Sequence, residues 1–199
     1  MYSWTLITGD EPNGIDARRF RQALGSFPTG VCLVATIGPD GRHEGVTINS
    51  FASVSLTPPL VLWSIRDDAR SAEVFLSARN FVISVLSAEQ EALAMHFARP
   101  APDKFAAFDD HFEPCIGGCP RLRGTVATFE CTSYSNYQEG DHTILVGRVE
   151  AFDMSSAAPL MFHTGQMGSA QAIADAIANN RATTTGEAKS KRATARRQA

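Results

Sequence analysis

Hydrophobic and polar positions alternate along much of this chain, with the period expected of strands that bury one face. Apolar and β-branched residues concentrate in short runs bounded by Gly, Pro and Asp. The turn sequences GPDG at 38–41 and Glu139-Gly140 separate two pairs of runs and predict hairpins. The runs predict strands at 31–38, 42–50, 60–66, 80–87, 121–138 and 141–154, with a further short strand at 159–163.

A helical period is confined to a few segments. Asp16 is a candidate N-cap for the first of them, and Ser71 for the second. The apolar residues around the first segment fall near one face: Ile15, Phe20, Leu24 and Phe27. The predicted helices cover residues 17–27, 71–78, 88–98 and 168–180.

This order of elements predicts the fold class. About six strands, mostly joined by hairpins, with few flanking helices, favour a closed antiparallel barrel over a doubly wound parallel sheet. A two-sheet sandwich is the main alternative. The pattern divides the chain into an N-terminal arm at 1–15, one domain at 16–180 and a tail at 181–199. The tail is rich in Lys and Arg without large apolar residues, which predicts disorder.

Composition narrows the class of protein. The 199 residues are 44% hydrophobic and 20% charged, which is typical of a globular domain. A net charge of −3 gives the body of the protein no basic footprint for nucleic acid. No apolar run reaches the roughly 20 residues that span a bilayer, and no signal peptide is evident, so the expected location is the cytoplasm.

The four cysteines raise the question of a metal. His111, Cys115 and Cys119 are regularly spaced, but they lack the CxxC pairs of common zinc sites and an evident fourth ligand. Reduced thiols in a cytosolic protein are the favoured interpretation, and no metal site is predicted.

Several familiar motifs are missing. The sequence contains neither GxGxxG nor GxxxxGK[ST], and neither GxSxG nor HExxH. What remains is GVTINSFASVSLTPPLV at 45–61, which places many hydroxyl and amide side chains in β-structure. Such groups are costly to bury without partners. Either the protein satisfies them internally or a polar ligand does, and a flat heteroaromatic ring with a phosphate would suit them.

A second motif is Gly140-Asp141-His142, at the tight turn that opens a predicted strand. The hairpin would fix a histidine here so that it could face a cleft. The alternative is an ordinary turn with an exposed histidine.

Taken in order, several segments resemble the flavin reductase family, the small reductase components of two-component flavin monooxygenases. The resemblance spans about residues 16–168 and depends most on TxNSFxSVSLxPPLV together with GDHxIxxGxV. The segments are FRQALGSFPTGVCLVAT, GVTINSFASVSLTPPLVLWSI, NFVISVLS, DKF and GDHTILVGRVE. The resemblance implies a Greek-key split β-barrel that binds FMN or FAD and forms a homodimer.

The resemblance also implies roles for individual residues. A first group lines the flavin: Thr47, Asn49, Ser50, Phe51 and Ser53. A second group lies near the ribityl phosphate, with Lys104 supplying charge: Ser64, Arg66, Ser71 and Lys104. His142 is associated with the nicotinamide side of the flavin. Thr29 could lie under the ring or be a helix-to-strand turn, and Phe97 could contact the flavin or be a helix core residue.

The implied reaction is hydride transfer from NAD(P)H to a flavin, which a separate oxygenase then uses. NADH is slightly favoured over NADPH because no clear basic pocket for a 2′-phosphate is evident; FMN and FAD stay equally open. One alternative is a non-catalytic flavin-binding module for storage or sensing. Another is a related split-barrel oxidase acting on a phosphorylated vitamin. The GDH motif favours the reductase.

Overall fold

The structure, a computed structural model, describes residues 16–175. The predicted arm and basic tail, and the end of the last predicted helix, lie outside these residues. The described helices are α1 Ala17–Gly25, α2 Ala72–Ser77 and α3 Glu91–Phe97, and the described part of a further helix covers 170–175. The strands are β1 Thr29–Gly30, β2 Cys32–Ile37, β3 His43–Ile48, β4 Ala52–Leu56, β5 Pro59–Arg66, β6 Asn80–Val85, β7 Phe112–Pro114, β8 Pro120–Leu122, β9 Ala127–Glu139, β10 His142–Met154, β11 Met161–His163 and β12 Gln166–Gly168.

Seven strands form the main antiparallel sheet, in the order β3-β2-β6-β9-β10-β5-β4. Its edge strands, β3 and β4, are consecutive in the chain and are joined only by residues 49–51. Six strand spacings would separate the edges of a flat sheet by about 29 Å, whereas this link reaches at most about 14 Å. The sheet must therefore curl until its edges approach each other. The predicted barrel is confirmed, with its seam at 49–51.

The connections of this sheet are of the Greek-key type, because the β9–β10 hairpin lies between β6 and β5. Two smaller sheets complete the strands: β1-β11-β12 and β7-β8. The first of these sheets begins shortly after α1, with β1. In it, Thr29 pairs with Phe162 and Gly30 with Met161 of β11.

Strand β2 lies at the centre of the hydrophobic core. Its side chains alternate between two buried clusters, as the period of two requires. Cys32 and Val34 belong to a cluster with Trp63 inside the barrel. Leu33 and Ala35 belong to a second cluster, formed with α3 and with aromatic residues of the 105–112 segment. With both faces covered, β2 reads as a continuous apolar run.

The structure corrects two boundaries. The predicted strand at 121–138 is broken, since β8 ends at Leu122 and β9 begins at Ala127; Gly124 lies between them with φ of 71°, a left-handed conformation that interrupts a strand. No helix or strand was predicted between residues 99 and 120, but this segment contains two 3-10 turns and most of the β7–β8 hairpin, which Gly117 and Gly118 close with positive φ.

Two helix expectations meet different outcomes. The carboxylate of Asp16 caps α1 as predicted, accepting hydrogen bonds from the backbone N–H groups of Arg18 and Arg19. Ser71 is the N-cap residue of α2, as predicted, but its side chain makes no capping hydrogen bond.

The predicted apolar face of α1 is present but is not packed against the described core, because Leu24 and Phe27 are 59% and 73% exposed. Among residues 16–175, no helix is both long and apolar enough to cross a membrane.

Candidate functional site

Three surface depressions adjoin one another through shared lining residues, and we call them together the trough. The first, of about 490 Å³, meets a narrow second one of about 170 Å³ at Ala98. The second meets a third, of about 580 Å³, at Asn49 and Phe162. We name the two ends the lysine end, around Lys104, and the arginine end, around Arg18 and Arg21 of α1. The trough brings together six of the twelve predicted site residues: Thr29, Thr47, Asn49, Ser71, Phe97 and Lys104.

Lys104 is held in place at one end of the trough. Its Nζ donates hydrogen bonds to the carbonyl oxygens of Gly45 on β3 and Phe97 at the end of α3, both at 2.9 Å. Its backbone carbonyl lies 2.9 Å from His96 Nε2. Partial burial lowers the pKa of Lys104, and the nearby Glu44 opposes this shift. An ammonium has three donors, so one remains for a ligand.

Phe97 itself belongs to the core. Its ring is fully buried and packs edge-on against Phe105, with ring centroids 5.0 Å apart. Of the two predicted alternatives, the core role is the one that the structure describes. A ligand bound to Lys104 would be linked to Phe97 through the hydrogen bond that Lys104 Nζ donates to the Phe97 carbonyl.

The start of α2 forms the opposite wall of the lysine end. Ser71 is buried there beside Asp68 and Arg70. Arg66, on the end of β5, lies just outside: its Nη2 is 2.6 Å from Asp68 Oδ2, and both side chains are exposed. An exposed ion pair of this kind is weak and can open for another anion.

The middle of the trough lies beside β3. The Thr47 hydroxyl donates a 2.7 Å hydrogen bond to the carbonyl of Ala94 on α3, which fixes the helix against the strand. Asn49 is exposed and lines both the narrow depression and the arginine end. The amide of Asn49 is therefore the more accessible of the two polar groups.

Ser50 closes the seam of the barrel. Its Oγ accepts a 3.0 Å hydrogen bond from the N–H of Ser64 and donates one of 3.2 Å to the carbonyl of the same residue. The hydroxyl thus pairs with both backbone groups of Ser64 on β5, as a residue of a neighbouring strand would. Ser50 acts through the backbone of Ser64, and these two predicted residues form one structural unit.

Two predicted residues next to the seam have different surroundings. Phe51 stacks on Phe129, with ring centroids 5.4 Å apart, and packs against the barrel core. Ser53 is exposed on β4, the edge strand. Neither residue lines the trough.

His142 begins β10 directly opposite Arg66 of β5. Opposed residues on antiparallel strands share a face with Cβ atoms about 5 Å apart. His142 Nδ1 lies 2.7 Å from Asp141 Oδ1, and this hydrogen bond is the main cause of a lowered pKa for Asp141. Because a carboxylate only accepts, Nδ1 carries the hydrogen and Nε2 is the nitrogen available to a ligand.

At the arginine end, the hydroxyl of Thr29 is buried and has no hydrogen-bond partner within residues 16–175. Arg18 and Arg21 line this cavity together with Gln22. The sequence analysis singled out the N-cap and the apolar residues of this helix and did not consider its arginines. The clustering of arginines without acidic residues at the start of α1 is the signal that could have identified them.

The four cysteines are free thiols in the structure. Burial raises the pKa of Cys32, Cys115 and Cys131 to about 12. A raised thiol pKa makes the thiolate scarce and the group unreactive. The described part of the chain holds no cluster of three or more potential metal ligands.

Comparisons with a family model, with known proteins and with solved structures all point to the same family. Residues 24–171 match the model of the flavin reductase like domain. The chain is 44% identical over 158 residues to the FMN reductase (NADH) SmoA of Agrobacterium fabrum, covering 79% of this chain and 88% of that protein.

A longer relative is the reductase component of the flavin-dependent trigonelline monooxygenase of Acinetobacter baylyi. The identity is 41% over 74% of this chain, which spans about half of that protein, 47% of its length. Among solved structures, the NADH:FAD oxidoreductase SgcE6 of Streptomyces globisporus C-1027, in complex with NAD and FAD fragments, superposes with a TM-score of 0.72 at 37% identity. The match covers 76% of this chain and 91% of that one.

Proposed function

This chain belongs to the flavin reductase like domain family, and we propose that it oxidises a reduced nicotinamide dinucleotide and passes the hydride to a flavin. The observation that carries the proposal is the trough, in which a lysine-bearing depression and an arginine-bearing one adjoin a smaller depression beside the polar groups of β3. Such a trough has room for two ligands end to end, and ligand pockets commonly measure about 300–1,000 Å³.

The side chains present suit a phosphorylated flavin. Lys104 has a spare donor beside Ser71 at the lysine end, where the ribityl phosphate would lie. Asn49 and the unpartnered Thr29 hydroxyl offer polar contacts further along the trough. Ser50 and Ser64 hold the seam closed behind them. Contacts of the flavin with Thr47, Phe51, Ser53 and Arg66 remain part of the proposal.

When bound, the flavin supplies the redox chemistry, taking a hydride at N5 from C4 of the nicotinamide. The task of this chain is to hold the two rings at reactive distance. No side chain has to remove a proton from the substrate. His142, with Nε2 available, orients the nicotinamide or its amide rather than acting as a base.

The direct test is the loss of absorbance at 340 nm when protein, NADH and FMN or FAD are mixed. We expect catalytic oxidation of NADH that requires flavin and exceeds the protein-free control. Flavin binding without such turnover would instead support a storage or sensing module, the alternative function.

The role of His142 has its own test. In His142→Ala, KM for the nicotinamide donor is expected to rise about tenfold, and the flavin dissociation constant should change less. Neither histidine lines the trough, but His142 lies opposite Arg66 on the β5–β10 ladder. His111→Ala is the matched control, because His111 Nδ1 also pairs with the preceding aspartate, at 2.8 Å, outside this ladder. Unchanged KM and kcat in His142→Ala would remove this residue from the site.

The finer assignments are proposals as well. We propose NADH as the donor and leave FMN and FAD open, and we propose that a separate oxygenase receives the reduced flavin. A homodimer is supported by large exposed apolar side chains on the long hairpin, including Phe152 and Met154 of β10 at 71% and 74% exposure. Light scattering of the full chain measures the mass directly.

A cytoplasmic location is supported by the thiols. Four free cysteines, three of them buried, suit a reducing compartment. The same compartment holds the NADH pool that the reaction draws on.

A further inference from the structure

We propose that the arginine end of the trough binds the adenosine pyrophosphate half of a dinucleotide, with Arg18 and Arg21 pairing with its two phosphates. The inference rests on the proposed function, because a ring seated in the middle of the trough would direct the remainder of its molecule toward one end or the other. The cations at the lysine end are Lys104, Arg70 and Arg99, and they share that end with the carboxylates of Glu44 and Asp68. The arginine end has Arg18 and Arg21 on α1 and no acidic side chain in its lining, so its charge is uncompensated.

The charges on α1 are locally unfavourable. Arg18, Arg19 and Arg21 crowd the start of the helix, and its first turn has no acidic residue. The helix dipole disfavours positive charge at this end, and like charges three residues apart repel. Within residues 16–175, neither Arg18 nor Arg21 forms a salt bridge, and Asp16 is occupied with capping. An anionic ligand removes this conflict.

The spacing of the two arginines suits a pyrophosphate. Residues three apart lie on one helix face with Cβ atoms about 5–6 Å apart. Arg18 and Arg21 both line the cavity, whereas Arg19 does not. Guanidinium groups bind phosphate through paired, charge-assisted hydrogen bonds, so two of them can take the two phosphates of one pyrophosphate.

The rest of the cavity suits a nucleoside. Phe27 is 73% exposed and lines it with Leu24, so an aromatic face is available for a base to stack on. The Thr29 hydroxyl is buried in the same wall with no partner among the described residues. A buried hydroxyl without a partner is costly, and a ribose or phosphate oxygen would satisfy it. The volume of about 580 Å³ is sufficient.

Two molecules of the proposed reaction carry this chemistry. NADH and FAD both have an adenosine pyrophosphate half, whereas FMN and reduced nicotinamide mononucleotide have none. In FAD one of the two pyrophosphate phosphates is the ribityl phosphate, which the proposed function places at Lys104, so NADH is the ligand expected at the arginine end. The cavity is therefore assigned to the adenosine pyrophosphate group. Comparing NADH with reduced nicotinamide mononucleotide, and FAD with FMN, shows which molecule supplies that group.

The first experiment uses ADP as the probe and calorimetry on the full chain. We expect ADP to bind the wild type, and to bind the double variant Arg18→Gln/Arg21→Gln at least about tenfold more weakly. Arg19→Gln removes the same charge from the same helix outside the cavity, and should bind ADP within about twofold of the wild type. Absence of ADP binding to the wild type at millimolar concentration, or equal weakening in Arg19→Gln, overturns the proposal.

The second experiment separates the sources by kinetics. If NADH places its adenosine half here, the double variant raises the ratio of KM for NADH to KM for reduced nicotinamide mononucleotide about tenfold. If FAD does, the ratio of KM for FAD to KM for FMN rises instead, and the ribityl phosphate then lies at the arginine end and not at Lys104. Either result supports the proposal. If both ratios are the same in the double variant as in Arg19→Gln, the proposal is refuted. Wild-type turnover of NADH with FMN is the control for the proposed function, which can stand while this inference fails.

Discussion

The two ends of the trough differ in whether their polar side chains already have partners within the protein. At the lysine end, Lys104 is already bonded to two backbone carbonyls, and in the adjoining middle Thr47 is bonded to Ala94. At the arginine end, the Thr29 hydroxyl has no hydrogen-bond partner within residues 16–175, and Arg18 and Arg21 form no salt bridge with any of these residues.

The difference teaches how much of a site is built before its ligand arrives. A group held by internal hydrogen bonds keeps its position at no further cost in entropy, so the lysine end is preorganised. Groups without partners raise the free energy of the empty protein and lower it only when a ligand comes. We therefore expect substitutions at the lysine end to lower the stability of the free protein, and those at the arginine end to lower ligand affinity alone.

The largest contrast should come from two glycines. A Cβ on Gly45, at the lysine end, would lie 2.9 Å from two ring carbons of Phe97 and 3.0 Å from Phe105. A Cβ on Gly25, at the arginine end, would meet only Thr164 Cα at 3.8 Å. Gly45→Ala should lose about 1–3 kcal/mol of unfolding free energy through overpacking, and Gly25→Ala close to none. Urea unfolding measures both, and equal losses would contradict the contrast.

Replacing the cation comes next. Lys104→Met keeps the length of the side chain but removes the charge and both hydrogen bonds to carbonyls. We expect FMN affinity to fall about tenfold or more. Riboflavin lacks the phosphate and serves as the internal control, so its affinity should change little. Equal losses for the two ligands, measured by fluorescence titration, would show that Lys104 supports the fold and not the phosphate.

Two threonines give a smaller and better matched pair. Thr47→Val breaks a 2.7 Å hydrogen bond and leaves the carbonyl of Ala94 unpaired, which should destabilise the protein by about 1 kcal/mol. Thr29→Val removes a hydroxyl that has no partner in the described chain, so the stability of the free protein should hold or rise slightly. Thermal unfolding with and without ligand tests both, since Thr29→Val should reduce only the stabilisation that the ligand adds.

The smallest effect concerns pH. Burial lowers the pKa of Lys104, so its charge is lost at a lower pH than the ordinary value of about 10.4. The affinity ratio of FMN to riboflavin should be full at neutral pH and fall as the pH rises through this lowered value. Lys104→Arg, which stays charged, should keep the ratio constant over the same range.

Protein stability should respond to pH with the opposite sign. Between the two pKa values of Lys104 the unfolded chain holds a proton that the folded chain has released. Unfolding free energy therefore rises with pH across that window.

How far the sequence predicted these features depends on the range of the interactions. Alternation revealed β2, β3, β5, β6, β9 and β10, because one-sided burial imposes a period of two. The barrel followed from their hairpins. The break between β8 and β9 and the β7–β8 hairpin were missed, because they depend on left-handed glycines, which a pattern of apolar residues does not report.

The hydroxyl-rich block at 45–61 shows the same limit within the site. Its composition predicted polar groups that need partners, and it could not predict which partners. The structure answers differently for each: Thr47 binds a helix carbonyl, Ser50 binds the backbone of β5, and Ser53 is exposed on the edge strand. Contacts between segments distant in sequence decided these outcomes. The arginine end was missed for the same reason, since only folding brings α1 beside Asn49.

Trp63 has a practical consequence for every titration described above. Its indole is fully buried in an apolar setting between Phe75 and Phe81, with ring centroids 5.0 and 6.0 Å away, and its N–H has no acceptor within residues 16–175. An indole in such surroundings emits at short wavelengths, in a range where oxidised flavins absorb. The other tryptophan of the chain is Trp4. In Trp4→Phe, Trp63 would be the single tryptophan, and its quenching by energy transfer to bound flavin would measure the fraction of protein that is occupied, without any attached dye.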